Sequence, residues 1–89
     1  MKFHEQVLLN IANNERCFIA DIGIEGDSSL SHGDSESYDL TFQEAIEYIE
    51  DSYPYYLRKY GKDGEILASV CDDWGEPIVV YNGKKWSVW

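Results

Sequence analysis

The chain has 89 residues, 44 % hydrophobic and 15 % aromatic, with 17 acids against 7 bases for a formal net charge of −10. That length predicts a single domain. The aromatic content excludes a disordered chain, the acidity disfavours direct nucleic-acid binding, which needs a basic footprint, and no run approaches the roughly 18 apolar residues of a membrane span.

The first fifteen residues, MKFHEQVLLNIANNE, lack the apolar core and small-residue cleavage site of a signal peptide, so a cytoplasmic location is expected. Within residues 3–12, Phe3, Val7 and Ile11 recur four apart with Leu8 and Ala12 beside them. This stripe predicts a helix ended by Asn13-Asn14, although strand alternation of Val7, Leu9 and Ile11 fits the same letters. Residues 16–24, RCFIADIGI, are apolar on both faces of a period-two pattern and predict an interior strand. Residues 25–37, rich in Gly, Ser and Asp, predict a long loop, with a short strand over Tyr38 to Leu40.

Thr41 opens the best-signalled element. Thr41 and Glu44 have capping-box spacing, and Leu40 and Ala45 hold the staple positions. Phe42, Ala45, Ile46 and Ile49 form the apolar stripe, and Glu44, Glu47, Glu50 and Asp51 fall on the opposite side. Pro54 predicts a stop near Ser52, then a short second helix, PYYLRKY, ended by a left-handed Gly61. After the Asp63-Gly64 turn come three strands: EILASVC, IVVY beyond the DDWGEP connection, and KKWSVW beyond the Asn82-Gly83 hairpin signal. The expected fold is α+β: a small, largely antiparallel sheet, made of the C-terminal three-stranded meander plus one interior strand, with two or three helices on one face.

Reaction chemistry finds little support. Cys17 and Cys71 sit in apolar runs without a CxxC and are expected as buried small hydrophobes. His4 and His32 lack metal-ligand spacing, and the acidic loop does not match the EF-hand pattern. Asp72-Asp73 reads as a turn. No P-loop or GxGxxG occurs. The expected protein is therefore not an enzyme and carries no metal or cofactor. An enzyme using Cys17 or Cys71 as nucleophile is the least supported alternative.

Charge placement is more informative. Residues 21–54 hold ten acids and no base, whereas residues 1–20 and 55–89 are each balanced. A surface built for solubility alone normally mixes signs. Asp34, Glu36, Asp39, Glu44, Glu47, Glu50 and Asp51 are therefore the candidate partner-binding residues, with Trp74 as a possible aromatic anchor. Among Tyr53, Tyr55, Tyr56 and Tyr60, one or two are expected at the surface. Arg58, Lys59 and Lys62 are expected to pair with neighbouring acids.

In size, charge and lack of catalytic motifs the chain resembles the small acidic antagonists of phages and mobile elements, the anti-CRISPR and anti-restriction proteins. The resemblance covers no alignable motif. It implies a non-enzymatic inhibitor that imitates nucleic acid and binds a basic surface of a nuclease or CRISPR effector. Immunity proteins of nuclease toxins share the same physics. A structural or adaptor domain using an exposed Tyr/Trp surface is the other alternative.

Overall fold

In the computed structural model, which describes residues 5–24, 35–62 and 64–89 (the side chains of 35–37 excepted), the helix predicted near the N-terminus is α1 (Glu5–Ala12). It closes as a Schellman motif: the Glu15 N–H donates to Asn10 O at 2.9 Å and the Asn14 N–H to Ile11 O at 3.2 Å. Asn14 takes the left-handed conformation this closure requires, with φ of 54°, a conformation Asn tolerates better than most residues. Strand alternation is thus overruled at α1. Val7 is buried, Ile11 packs beside it, and Leu8 and Leu9 are exposed.

The rest of the order is β1 (Phe18–Ile24), β2 (Ser35–Leu40), α2 (Phe42–Tyr60), β3 (Ile66–Cys71), β4 (Pro77–Tyr81) and β5 (Trp86–Val88). The strands form one sheet in the order β2-β1-β3-β4-β5, every pairing antiparallel. β1 is interior, as its two apolar faces predict: Phe18, Ala20 and Ile22 point into the core, and Ile19 is buried on the other side.

β2 begins earlier than predicted. Residues 35–37 were expected in the loop but pair with β1, Glu36 opposite Asp21 and Ser35 opposite Ile22. Ser and Glu are poor strand formers; the unpaired backbone edge of β1 overrides that preference. The register slips between Phe18 and Ala20, and Asp39, with φ of 59°, takes the strained position at this bulge. Residues 25–34, His32 and Asp34 among them, lie outside the described residues, as does His4.

α2 carries the main correction. Pro54 does not stop it; one helix runs from Phe42 to Tyr60, so the described residues hold two helices. An interior proline costs about 3 kcal/mol. Burial of Tyr56, with Tyr53 and Tyr60 half-buried against the same core, returns about 1.5–3 kcal/mol for a fully covered large side chain and a share of that for each partner. The helix persists because packing outweighs the missing hydrogen bond. Gly61 is also not left-handed: its φ is −61° and its N–H continues the helix to Leu57 O at 3.0 Å. The capping box forms as predicted, with Glu44 N–H donating to Thr41 Oγ1 at 3.1 Å and Thr41 N–H to Glu44 Oε1 at 3.0 Å.

α2 lies across β1 and β3. Ala45 and Ile49 of the helix are fully buried against Phe18, Ile22, Val70 and Ile78 of the sheet. No helix among the described residues is long and apolar enough to cross a membrane.

Candidate interaction surface

The sheet register sorts the loops between two ends. Cys71 pairs with both Ile19 and Pro77, and Phe18 with Leu40. The turn 72–76, the approach to β1 and the β2–α2 junction therefore share one end. The α2 C-terminus, the start of β3 and the β4–β5 turn share the other, and Tyr53 Oη donates to Asn82 O there at 3.3 Å.

At the first end, Asp72 builds the turn. Its Oδ1 accepts from the Trp74 N–H at 2.9 Å and the Glu76 N–H at 3.0 Å. Its own N–H donates to Glu76 O at 3.0 Å, and Gly75 supplies the positive φ of 83°. The turn holds Trp74 at 90 % exposure, with Asp73 and Glu76 exposed on either side. Glu15 and Asp39 are exposed at the same end.

Glu44 is there too, but it is not free. Arg16 grips it through both guanidinium nitrogens, Nη1 to Oε1 at 2.6 Å and Nη2 to Oε2 at 3.2 Å. The Thr41 backbone N–H, above all, holds the Glu44 carboxyl below the usual glutamate range; desolvation opposes it, and the Arg16 hydrogen bond and charge add to the lowering. Its charge is answered within the molecule, so the acidic set predicted on α2 loses one member.

Of the remaining acids of α2, Glu47 and Asp51 continue from this end along the helix's outer side, and Glu50 lies on the flank toward β5. Glu47, Glu50 and Asp51 are all exposed. Gln43 donates to Glu47 Oε2 at 3.2 Å, and the Trp86 indole N–H donates to Glu50 Oε2 at 3.0 Å. Glu36 is placed on the outermost strand by its pairing with Asp21.

Bases gather at the second end: Arg58, Lys59 and Lys62 at the close of α2, Lys84 and Lys85 in the β4–β5 turn. The expectation that the first three pair with acids fails for Lys59. Its ammonium donates to Tyr55 Oη at 3.1 Å and lies 5.5 and 5.3 Å from the Tyr55 and Tyr60 ring centres. These tyrosine contacts push its pKa up. Tyr55 is the exposed member of the tyrosine group and Tyr56 the buried one.

Glu15 was missed as a surface acid because Arg16 follows it directly, a base the fold commits to Glu44; Asp73 and Glu76 were missed because they balance bases nearby in sequence. The signal was present in strand length. Six residues of β3, at about 3.3 Å each, hold the chain before and after it roughly 20 Å apart. Charges flanking such a strand do not screen each other well beyond a Debye length of about 8–10 Å.

Two concavities accompany these surfaces. One, of about 560 Å³, is lined by Leu67, Ser69, Val80 and Trp89 and, from α2, by Tyr53. The other, of about 160 Å³, lies between α1 and the Trp74 turn. Cys17 lines it and is half-buried, where a buried position was expected; Cys71 is buried, and both are free thiols. Burial first, then Asp73, Glu15 and Asp72, push the Cys17 thiol up, while a hydrogen bond from Asn10 opposes them. Among the described residues no group of three or more His, Cys, Asp or Glu is arranged to hold a metal ion. No family model, curated protein or solved structure matches this chain.

Proposed function

We propose that this protein is a non-enzymatic inhibitor that occupies the basic, nucleic-acid-binding surface of a larger protein, of the anti-CRISPR or anti-restriction type encoded by a phage or mobile element and acting in the host cytoplasm. The observation that carries the reading is the segregation of charge. Glu15, Asp39, Asp73 and Glu76 are exposed at one end and Glu47 and Asp51 along α2, while Arg58, Lys59, Lys62, Lys84 and Lys85 lie toward the other end, where Glu65 and, beside Trp86, Glu50 are the acids among them. Glu47 and Asp51 are one helical turn apart, about 5–6 Å, a spacing comparable with that of phosphates along a nucleic-acid strand, one per about 3.4 Å of rise. A protein whose Lys and Arg grip nucleic acid is attracted to such a row, and attraction of this kind speeds association and weakens with salt.

The test is inhibition and direct binding against purified CRISPR effectors, restriction nucleases and nuclease toxins across a salt series. The expected result is nanomolar, salt-sensitive binding to a member of the panel, in competition with its nucleic acid. Glu47→Lys combined with Asp51→Lys should weaken it more than about tenfold without changing the thermal melt. Unchanged affinity removes the acidic face from the reading. Inhibition of a toxin nuclease alone would make the protein an immunity factor. The 90 % exposure of Trp74 favours one further reading, an adaptor that binds through its aromatic surface; salt-insensitive binding abolished by Trp74→Ala would select it.

A further inference from the structure

We infer that the cleft between α1 and the Trp74 turn is a seat for one arginine side chain of the partner protein. This rests on the reading of a basic partner and names a contact within it. At about 160 Å³, the cleft is well below the roughly 300–1,000 Å³ of small-molecule pockets and suits a single elongated side chain.

Its walls match the two parts of an arginine. Val7, Cys17 and Phe18 supply an apolar floor for the methylene stem. At the rim, Asp73 offers a carboxylate and Trp74 an aromatic face, the strongest type for holding a cation. Asp72 is already engaged with the backbone N–H groups of Trp74 and Glu76, so its part is to fix the backbone of the turn that carries Asp73 and Trp74. The α1 wall is set by the bond from Gln6 Nε2 to Asn10 Oδ1 at 3.0 Å and by the closure at Asn14. No Lys or Arg is among the described residues lining the cleft, and the neighbouring Arg16 is held by Glu44. A guanidinium fits this rim better than an ammonium, because it is planar, less strongly hydrated, and able to stack on an indole while pairing with a carboxylate.

The experiment titrates the full chain, labelled with nitrogen-15, with acetylated hexa-arginine amide and, in parallel, hexa-lysine amide. The expected result is saturable movement of the Trp74 indole N–H and the Gln6 and Asn10 side-chain amides, at least about threefold tighter for arginine. Asp73→Asn and Trp74→Ala should each weaken that binding by more than about fivefold, and Glu65→Gln, at the far end, should not. The Glu47→Lys, Asp51→Lys variant should keep the cleft signals. Movement confined to the outer side of α2, equal affinity for both peptides, or indifference to Asp73→Asn and Trp74→Ala would overturn the seat. A panel in which no effector binds while the cleft titrates as expected would instead remove the inhibitor reading and leave the seat standing.

Discussion

The two ends of the sheet solve the same problem with different chemistry. At the Trp74 end, Asp72 and Glu44 are engaged by the chain itself, Asp72 in its turn and Glu44 by Arg16 and Thr41, while Glu15, Asp39, Asp73 and Glu76 face solvent. At the Lys84 end, Asn82 Oδ1 accepts from the Lys84 and Lys85 N–H groups at 2.8 and 2.9 Å, and Lys59 lies against two tyrosine rings. One end is braced by carboxylates, the other by an amide and aromatic rings. α2 spans both, with Glu44 in its first turn and Arg58 and Lys59 in its last, so the charge separation follows the helix dipole instead of opposing it. The comparison teaches that a residue's charge neighbours are set by strand ends, not by sequence distance.

The largest effect should come from cutting what joins the ends. Ile49 is fully buried beneath α2, and Ile49→Ala should cost about 2–5 kcal/mol, measured by urea denaturation; a smaller loss would mean that the helix is not the common support. At the Lys84 end, Gly83 has φ of 95°, and a Cβ there would stand 2.8 Å from Tyr53 Cε1. Gly83→Ala should cost about 1–3 kcal/mol while leaving the Trp74 indole resonance in place, which would show the ends to be separable. At the Trp74 end, Thr41→Ala removes one half of the capping box and should cost about 1 kcal/mol.

A subtler difference is pH. The folded pKa of Glu44 is depressed, so its stabilising contribution is present above the ordinary glutamate pKa and is lost as pH falls through the lower, folded value. Melting points followed from neutral to acid pH should therefore fall more in the native chain than in Glu44→Gln, with Arg16→Ala in between. Identical curves for all three would show that the grip of Arg16 and Thr41 adds nothing. The smallest effect concerns Cys17. Burial first, then the charges of Asp73, Glu15 and Asp72, push its thiol up, so alkylation should be slower than for an exposed free cysteine and quicken once Asp73→Asn weakens the local negative potential.

Much of the fold was legible because its signals are local. The period of β1, the Thr41–Glu44 pair and the Asn82-Gly83 turn each specify their own backbone. What failed was what depends on distant partners. Pro54 argues locally for a stop and is overruled by the tyrosines that bury beyond it. Residues 35–37 have no strand preference of their own and are recruited by the open edge of β1. The candidate surface was half legible: Glu47, Glu50, Asp51 and Trp74 are exposed as expected. Glu44 was lost to a base 28 positions away, and Asp73 and Glu76 were hidden by neighbours in sequence that the sheet carries to its opposite end.

The bond between Glu50 and the Trp86 indole has an optical consequence. Trp86 also stacks on Tyr81, ring centres 4.8 Å apart, so its excited state senses both the helix carboxylate and the sheet edge. A cation that binds the free oxygen of Glu50 changes the charge beside that indole, and the emission of Trp86 will then shift. Engagement of the helix can thus be followed without an attached dye, in a variant where Trp74 and Trp89 are replaced by phenylalanine so that a single tryptophan remains.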